Sequence, residues 1–462
     1  MKKTVVIDIV GLSKSCLGEE TPFLLSKWQN LHTRPIPPVF PAVTTTAQSC
    51  YLTGRVPSEH GIVGNGWYDK KDCEIKFWKQ ANPLVEAEKI WEAARKKNPN
   101  FTVANLFWWY NMYSSVDFSV TPRPQYHADG VKMPDCYTQP AALRDELQQK
   151  LGTFPLFNFW GPQANIKSTQ WIADASMEVD KKHNPTLTLI YLPHLDYCLQ
   201  KFGPDKSLIS KELGEIDAVV KQLYQYYEKQ DAEIILLSEY GISPVHEALA
   251  VNRILRENGY IQIREENGKE LLDAGASKAF AVADHQIAHI YAKEGTDLIA
   301  LKNVFASKKQ VAKVLDKEEQ KAMGLAHERS GDLVLMATPT SWFSYYYWLD
   351  DKKAPDFARI VDIHRKPGYD PVEMFMNPAN PLIKLRAAYK LARKKLGFRY
   401  LMDVIPLDDS LIRGSHGSSE VSEEYHPLLF STRSIAPDFQ RATDVYSHIW
   451  ACIFDEKPTH LL

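Results

Sequence analysis

Thr4-Val5-Val6-Ile7-Asp8-Ile9-Val10-Gly11 is the stretch whose reading decides the fold. Val5 to Val10 is an apolar run broken only by Asp8. Such a run suits a strand buried on both faces, as in a parallel sheet between helical layers. Similar runs recur at 101–106, 187–192 and 233–239, and helical patterns intervene at 86–97, 139–151, 169–182 and 206–230. Strands alternating with helices predict an α/β sandwich whose functional groups gather at the carboxyl ends of the strands. Asp8, Asp196 and Glu239 each stand at or just past the end of such a run.

The alternation weakens between Val245 and Pro406. Short strand patterns at 279–283, 287–292 and 332–337 are followed there by a proline-rich segment and a basic helix over 381–396. The expected division is a core over 1–245, an inserted or cap unit over 246–406, and the rest of the core over 407–462. A chain of 462 residues exceeds one ordinary domain, and 44% hydrophobic with 24% charged residues excludes wholesale disorder. A formal net charge of -2 gives no overall footprint for nucleic acid or an anionic membrane. The six cysteines are scattered with no CxxC pair and read as free thiols. The apolar run after Met1-Lys2-Lys3 is too short for a signal segment or a membrane span. The expectation is a cytoplasmic protein without a membrane span.

The chemistry is expected at Pro41-Ala42-Val43-Thr44-Thr45-Thr46-Ala47-Gln48-Ser49-Cys50-Tyr51-Leu52-Thr53-Gly54. Threonines cap helices, and a helix N-terminus also favours an anion, so Thr44 is placed to attack a phosphoryl group. Its hydroxyl needs a base or metal to become a nucleophile. Asp8, an isolated carboxylate in an apolar strand, needs a strong partner, and a metal ion is one. Asp196 and Gln200 are four apart in the stretch Tyr191 to Pro204, and Glu239-Tyr240 ends the next strand. Glycines on both sides of Ser415-His416 imply a bend that aims the imidazole.

The order of these pieces resembles the alkaline phosphatase superfamily, nearest to its nucleotide pyrophosphatase/type I phosphodiesterase branch. The matching features are the strand ending at Asp8, Thr44 with Thr53-Gly54-Arg55 closing its helix, His60-Gly61-Ile62-Val63-Gly64-Asn65, the Tyr191 to Pro204 pattern, Glu239-Tyr240 and Gly414-Ser415-His416-Gly417. The resemblance covers 1–245 and 407–462. It implies a three-layer sandwich with a mostly parallel central sheet, helices on both faces and an inserted cap. It also implies a metal-dependent hydrolase of phosphodiester, pyrophosphate or phosphonate bonds acting through a phosphothreonine. By position, Asp8, Thr44, Glu239 and Tyr240 hold one metal; Asp196, Gln200 and His416 hold the other; Asn65 holds a non-bridging oxygen. The partner is then a small phosphorylated molecule rather than a nucleic-acid polymer.

Three positions depart from that pattern. Gln200 and Tyr240 stand where the branch has histidine, and Glu239 stands where it has aspartate. Losing imidazoles favours oxygen donors, so manganese, magnesium or calcium compete with zinc, and one of the two divalent ions is open to loss. Candidate substrate contacts are Arg123, Tyr126 and Asp129 in a polar loop, His285 in the second unit, and His364, Arg365 and Lys366 in a charged turn. The alternatives are a phosphotransferase or mutase, and a non-catalytic ligand-binding member of the same fold.

Overall fold

The computed structural model describes residues 1–128 and 130–459. Its central layer is an eight-stranded sheet. Across it the order is His32–Pro35, Leu428–Ser431, Glu233–Leu237, Thr4–Ile9, Leu187–Leu192, Val103–Leu106, Phe118–Pro122 and Cys136–Gln139. The five strands from Glu233–Leu237 to Phe118–Pro122 run parallel. The flanking strands pair antiparallel with their neighbours. Thr4–Ile9 is at the centre and buried throughout, because helices cover both sides of its Val and Ile side chains. Helices Ile166–His183 and Lys206–Glu228 pack on one another and on the sheet, and helix Asp444–Phe454 packs on helix Thr44–Thr53 and on the central strands. The result is a three-layer α/β sandwich.

A second, four-stranded antiparallel sheet is inserted late in the chain, in the order Ala279–Asp284, Ile287–Ala292, Leu333–Ala337, Val311–Leu315. Its apolar core also takes in Ile62, Val63, Trp67, Phe77 and Tyr110 from the early part of the chain. The inserted sheet therefore rests on the segments around Asn65 rather than standing apart. A third, small apolar cluster joins Val372, Ile383, Val404 and Ile405.

Gly241 follows Tyr240 where the backbone passes under Tyr425. A Cβ built there would lie 2.1 Å from the Tyr425 carbonyl oxygen, which belongs to the main chain and cannot swing aside. Gly241→Ala is expected to destabilise the chain by about 2 kcal/mol or more, as overpacking against fixed backbone does. A urea denaturation midpoint equal to wild type would contradict this.

Candidate active site

The parallel strands deliver their side chains to one end of the sheet, where helix Thr44–Thr53 starts. Val43 is its N-cap, Thr44 its first residue, and Gly54 ends it at φ 66° in the left-handed region that glycine adopts at little cost. The Tyr51 hydroxyl donates to the Ser238 carbonyl at 3.0 Å and pins the helix to the segment that follows strand Glu233–Leu237 and carries Glu239. Every residue of this helix is buried.

Thr44 Oγ is 3.1 Å from the Tyr240 hydroxyl, which in turn donates to Asp196 Oδ1 at 3.1 Å. Asp196 lies in the first turn of helix His194–Phe202, with Gln200 one turn later on the same face. Gln200 Nε2 donates to Asp196 Oδ2 at 2.8 Å, and the Tyr369 hydroxyl donates to Gln200 Oε1 at 2.8 Å. His416 Nδ1 bonds the Ala42 carbonyl at 2.8 Å, and its Nε2 points toward Asp196 Oδ1 at 3.7 Å. Four rings form a column: Tyr240 on His416 at 3.5 Å, His416 beside His285 at 3.8 Å, and His285 on Tyr369 at 3.6 Å between centroids. The column joins the central sheet, the C-terminal turn and the inserted unit.

A second polar group starts from the buried Asp8 and Glu239 carboxyls. Gln48 Nε2 bridges them, donating to Asp8 Oδ2 at 3.4 Å and to Glu239 Oε1, while its Oε1 accepts the Trp109 backbone N–H at 2.7 Å. Asn65 Oδ1 accepts the Thr45 N–H at 3.1 Å. Asp284 holds Asn65 in turn, accepting its backbone N–H at 2.8 Å and its Nδ2 at 3.1 Å. Asp284 also contacts His285 Nδ1 at 2.7 Å.

The structure thus brings together Asp8, Thr44, Asn65, Asp196, Gln200, Glu239, Tyr240, His285 and His416. Arg123 and Tyr126 are exposed, and so is His364, whose Nδ1 lies 3.4 Å from the Phe77 carbonyl. Arg365 is exposed, paired with Asp356 at 3.2 Å and lying over the Phe357 ring. The Lys366 ammonium is buried between Asp370 at 2.6 Å and Glu373 at 2.7 Å, so it is already neutralised and unavailable to a phosphate. Asp129 lies outside the described residues. Gln48, Asp284 and Tyr369 escape the sequence reading. Gln48 had a signal, since it stands one helical turn after Thr44; the other two are placed by the packing of the inserted unit.

Whether these groups suit a metal can be judged from their free lone pairs. Asp8 Oδ1 and Glu239 Oε2 are buried without a hydrogen-bond partner among the described residues. Two buried carboxyls with orphaned oxygens beside a hydroxyl, with no lysine or arginine among the described residues paired to them, fit a divalent cation that prefers oxygen. The second half fits an ion poorly. Both Asp196 oxygens already accept, Gln200 Oε1 accepts from Tyr369, and among these groups only His416 Nε2 is left without a hydrogen bond. Among the described residues no three His, Cys, Asp or Glu side chains converge as a metal-binding group.

Burial raises the Asp8 carboxyl to about 7, and raises Glu239 as well, with the Asp8 charge adding to the effect. Burial also raises Asp196 to about 7, against the hydrogen bonds from Gln200 and Tyr240. Both aspartates have an ordinary value of 3.8, so the folded state holds their protons more tightly than the unfolded chain. Their contribution to stability is full below the ordinary value and is lost as pH rises through about 7. Without divalent ions the denaturation midpoint should therefore fall between about pH 5 and about pH 8, and less so in Asp8→Asn. Manganese at about a hundred times its dissociation constant should restore roughly 2.7 kcal/mol at the higher pH. A metal-insensitive midpoint would remove the cation from this site.

The family model described as type I phosphodiesterase / nucleotide pyrophosphatase matches residues 4–370. The chain belongs to that family. Within it, the chain is 26% identical over 258 residues to an uncharacterised pyrophosphatase/phosphodiesterase of Schizosaccharomyces pombe, covering 52% of this chain and 44% of the other. It is 23% identical over 388 residues to ectonucleotide pyrophosphatase/phosphodiesterase 2 of Saccharomyces cerevisiae, covering 78% of this chain and 68% of the other. The match to the first relative thus spans less than half of that relative's length. Among solved structures, phosphonoacetate hydrolase of Sinorhizobium meliloti in complex with phosphonoformate superposes with a TM-score of 0.59 at 13% identity, covering 98% of this chain and 96% of the other. Murine ectonucleotide pyrophosphatase/phosphodiesterase 5 in complex with AMP gives 0.58 at 14% identity, covering 98% and 95%. At these identities the two structures speak for the fold, an alkaline-phosphatase-like sandwich with an inserted subdomain. No helix among the described residues of this phosphodiesterase-family chain is long and apolar enough to cross a membrane.

Proposed function

We propose that the protein hydrolyses phosphodiester, pyrophosphate or phosphonate bonds in a small molecule, with Thr44 as the nucleophile. The observation that carries this is Thr44 itself: the first residue of a buried helix, its hydroxyl 3.1 Å from the Tyr240 hydroxyl. A helix start favours the approaching anionic group. Tyr240 donates to Asp196, so Thr44 in turn donates to the Tyr240 oxygen, and the lone pairs of Oγ stay free for phosphorus. Asn65, held from behind by Asp284, fixes the first turn of the helix and has a second amide N–H to offer a non-bridging oxygen. Attack by Oγ forms the Thr44–phosphorus bond while the Oγ proton passes to Tyr240 and the Tyr240 proton to Asp196; the bond from phosphorus to the leaving group breaks, and water then cleaves the phosphothreonine and restores the hydroxyl.

Asp8, Glu239 and Thr44 would hold one divalent ion, which when bound supplies Lewis acidity toward the threonine oxygen and the phosphoryl group. Oxygen-rich donors favour manganese or magnesium over a zinc pair. The AMP and phosphonoformate bound in the two solved structures support a small phosphorylated or phosphonylated substrate. A cytoplasmic location belongs to the same proposal and is supported by six free thiols.

The test is turnover of bis-p-nitrophenyl phosphate, a dinucleoside pyrophosphate and phosphonoacetate with added manganese, magnesium or zinc. Absence of turnover for every pair would favour a ligand-binding role instead. Tyr240→Phe is expected to lower kcat roughly tenfold to a hundredfold, since it frees the Thr44 proton from its acceptor. An unchanged kcat would remove Tyr240 from the mechanism.

A further inference from the structure

The whole-chain charge hides a strongly basic segment. Between Glu373 and Asp403 the chain has seven lysines and arginines and no acidic residue. Helix Ile383–Lys395 occupies the middle of this segment. Ile383 is buried in the small cluster with Val372, Val404 and Ile405. Lys390 and Arg386 pair with Asp403, which straps the helix to the body from that side.

The opposite side carries the feature that needs explaining. Leu382, Leu385, Tyr389 and Leu396 are 61%, 66%, 61% and 73% exposed. Phe398, just past the helix, is 59% exposed. Their spacing of three, four and seven residues sets them along one stripe at helical periodicity. At the same periodicity Arg393 flanks the stripe on one edge, and Lys384 and Lys395 flank it on the other. The usual arrangement of a surface helix is inverted here: the apolar stripe faces solvent, and the face toward the protein is tied by one isoleucine and an ion-pair strap.

An outward apolar stripe edged by cations on both sides is the pattern of a helix lying in a lipid interface. Its apolar side chains enter the acyl boundary, and its long basic side chains reach the headgroups. A second copy of this chain is a poor occupant, because it would set one net-cationic segment against another. A nucleic-acid backbone would satisfy the cations but leave the leucines in water. We propose that helix Ile383–Lys395 docks the protein, in the plane of the interface, on an anionic phospholipid bilayer. The proposal is independent of the activity assigned to Thr44.

The test is flotation of the full-length protein with phosphatidylcholine vesicles and with mixed phosphatidylcholine/phosphatidylserine vesicles, at low and high salt. Wild type should float with the mixed vesicles and be released by salt. Leu385→Ser/Tyr389→Ser/Leu396→Ser should stay in the aqueous phase at unchanged thermal stability. Lys384→Ser/Arg393→Ser/Lys395→Ser should bind about a hundredfold more weakly, at roughly fivefold per cation. Tyr389→Trp, a single exposed change, should show a blue-shifted emission only with the anionic vesicles. Wild type that ignores both vesicle types, serine variants that float as well as wild type, or a Tyr389→Trp emission indifferent to lipid would each overturn the proposal. So would a wild-type dimer in sedimentation that the apolar triple variant abolishes, because a second copy would then cover the stripe.

Discussion

Replacing Thr44 with alanine is expected to cut turnover of any phosphodiester substrate about a thousandfold or more, because it deletes the attacking atom rather than weakening its surroundings. The structural cost is small. The side chain gives up one hydrogen bond to Tyr240 at 3.1 Å, worth about 1 kcal/mol, and the Val43 cap and Gly54 stop of the helix are untouched. Activity and stability should therefore separate, with kcat collapsing while the denaturation midpoint moves little. Steady-state kinetics on Thr44→Ala and Thr44→Ser decide the matter. Serine retains the hydroxyl and should recover a measurable fraction of activity. If alanine and wild type turn over alike, Thr44 is not the nucleophile and the phosphothreonine is lost with it.

Replacing Lys366 with methionine should have the largest effect on stability, a loss of about 3–5 kcal/mol. Lys366, Asp370 and Glu373 form an ion cluster in which none of the three side chains exceeds 2% exposure. Removing the cation leaves two carboxyls facing one another out of water. Glu373 also accepts from Trp160 Nε1 at 2.6 Å and from the Asp362 backbone N–H at 2.9 Å, so the loss would loosen the turn that presents Tyr369 to Gln200. Equilibrium urea unfolding measures the loss. Adding Asp370→Asn and Glu373→Gln to the lysine change should recover much of it, because the stranded charges are then gone. A Lys366→Met protein as stable as wild type would show that the cluster contributes nothing net.

The central strands were readable because burial on both faces leaves a continuous apolar run, and Leu187–Leu192 has the same limits in the structure as in the sequence pattern. Asp8 and Thr44 were readable for the converse reason: each is a polar group at a place where an apolar one would be expected or where a helix begins. The flanking strands His32–Pro35 and Cys136–Gln139 escaped, being four residues long with little alternation. Asp284 and Tyr369 escaped because their significance depends on what they touch, Asn65 and Gln200, and those contacts cross large gaps in sequence. Lys366 shows the opposite failure. In a charged turn it reads as a phosphate contact, and only the fold reveals that its charge is spent on Asp370 and Glu373.

The ring column of Tyr240, His416, His285 and Tyr369 has a thermodynamic consequence. It joins residues from the sandwich and from the inserted unit through buried stacking, in a place where hinged modules would have a solvent-filled cleft. Neither unit can melt without unstacking the other's rings and opening the shared apolar cluster around Ile62 and Phe77. Calorimetry should then register a single heat-absorption peak in place of one for each sheet. Tyrosine near-ultraviolet dichroism should vanish at the same temperature as the far-ultraviolet signal.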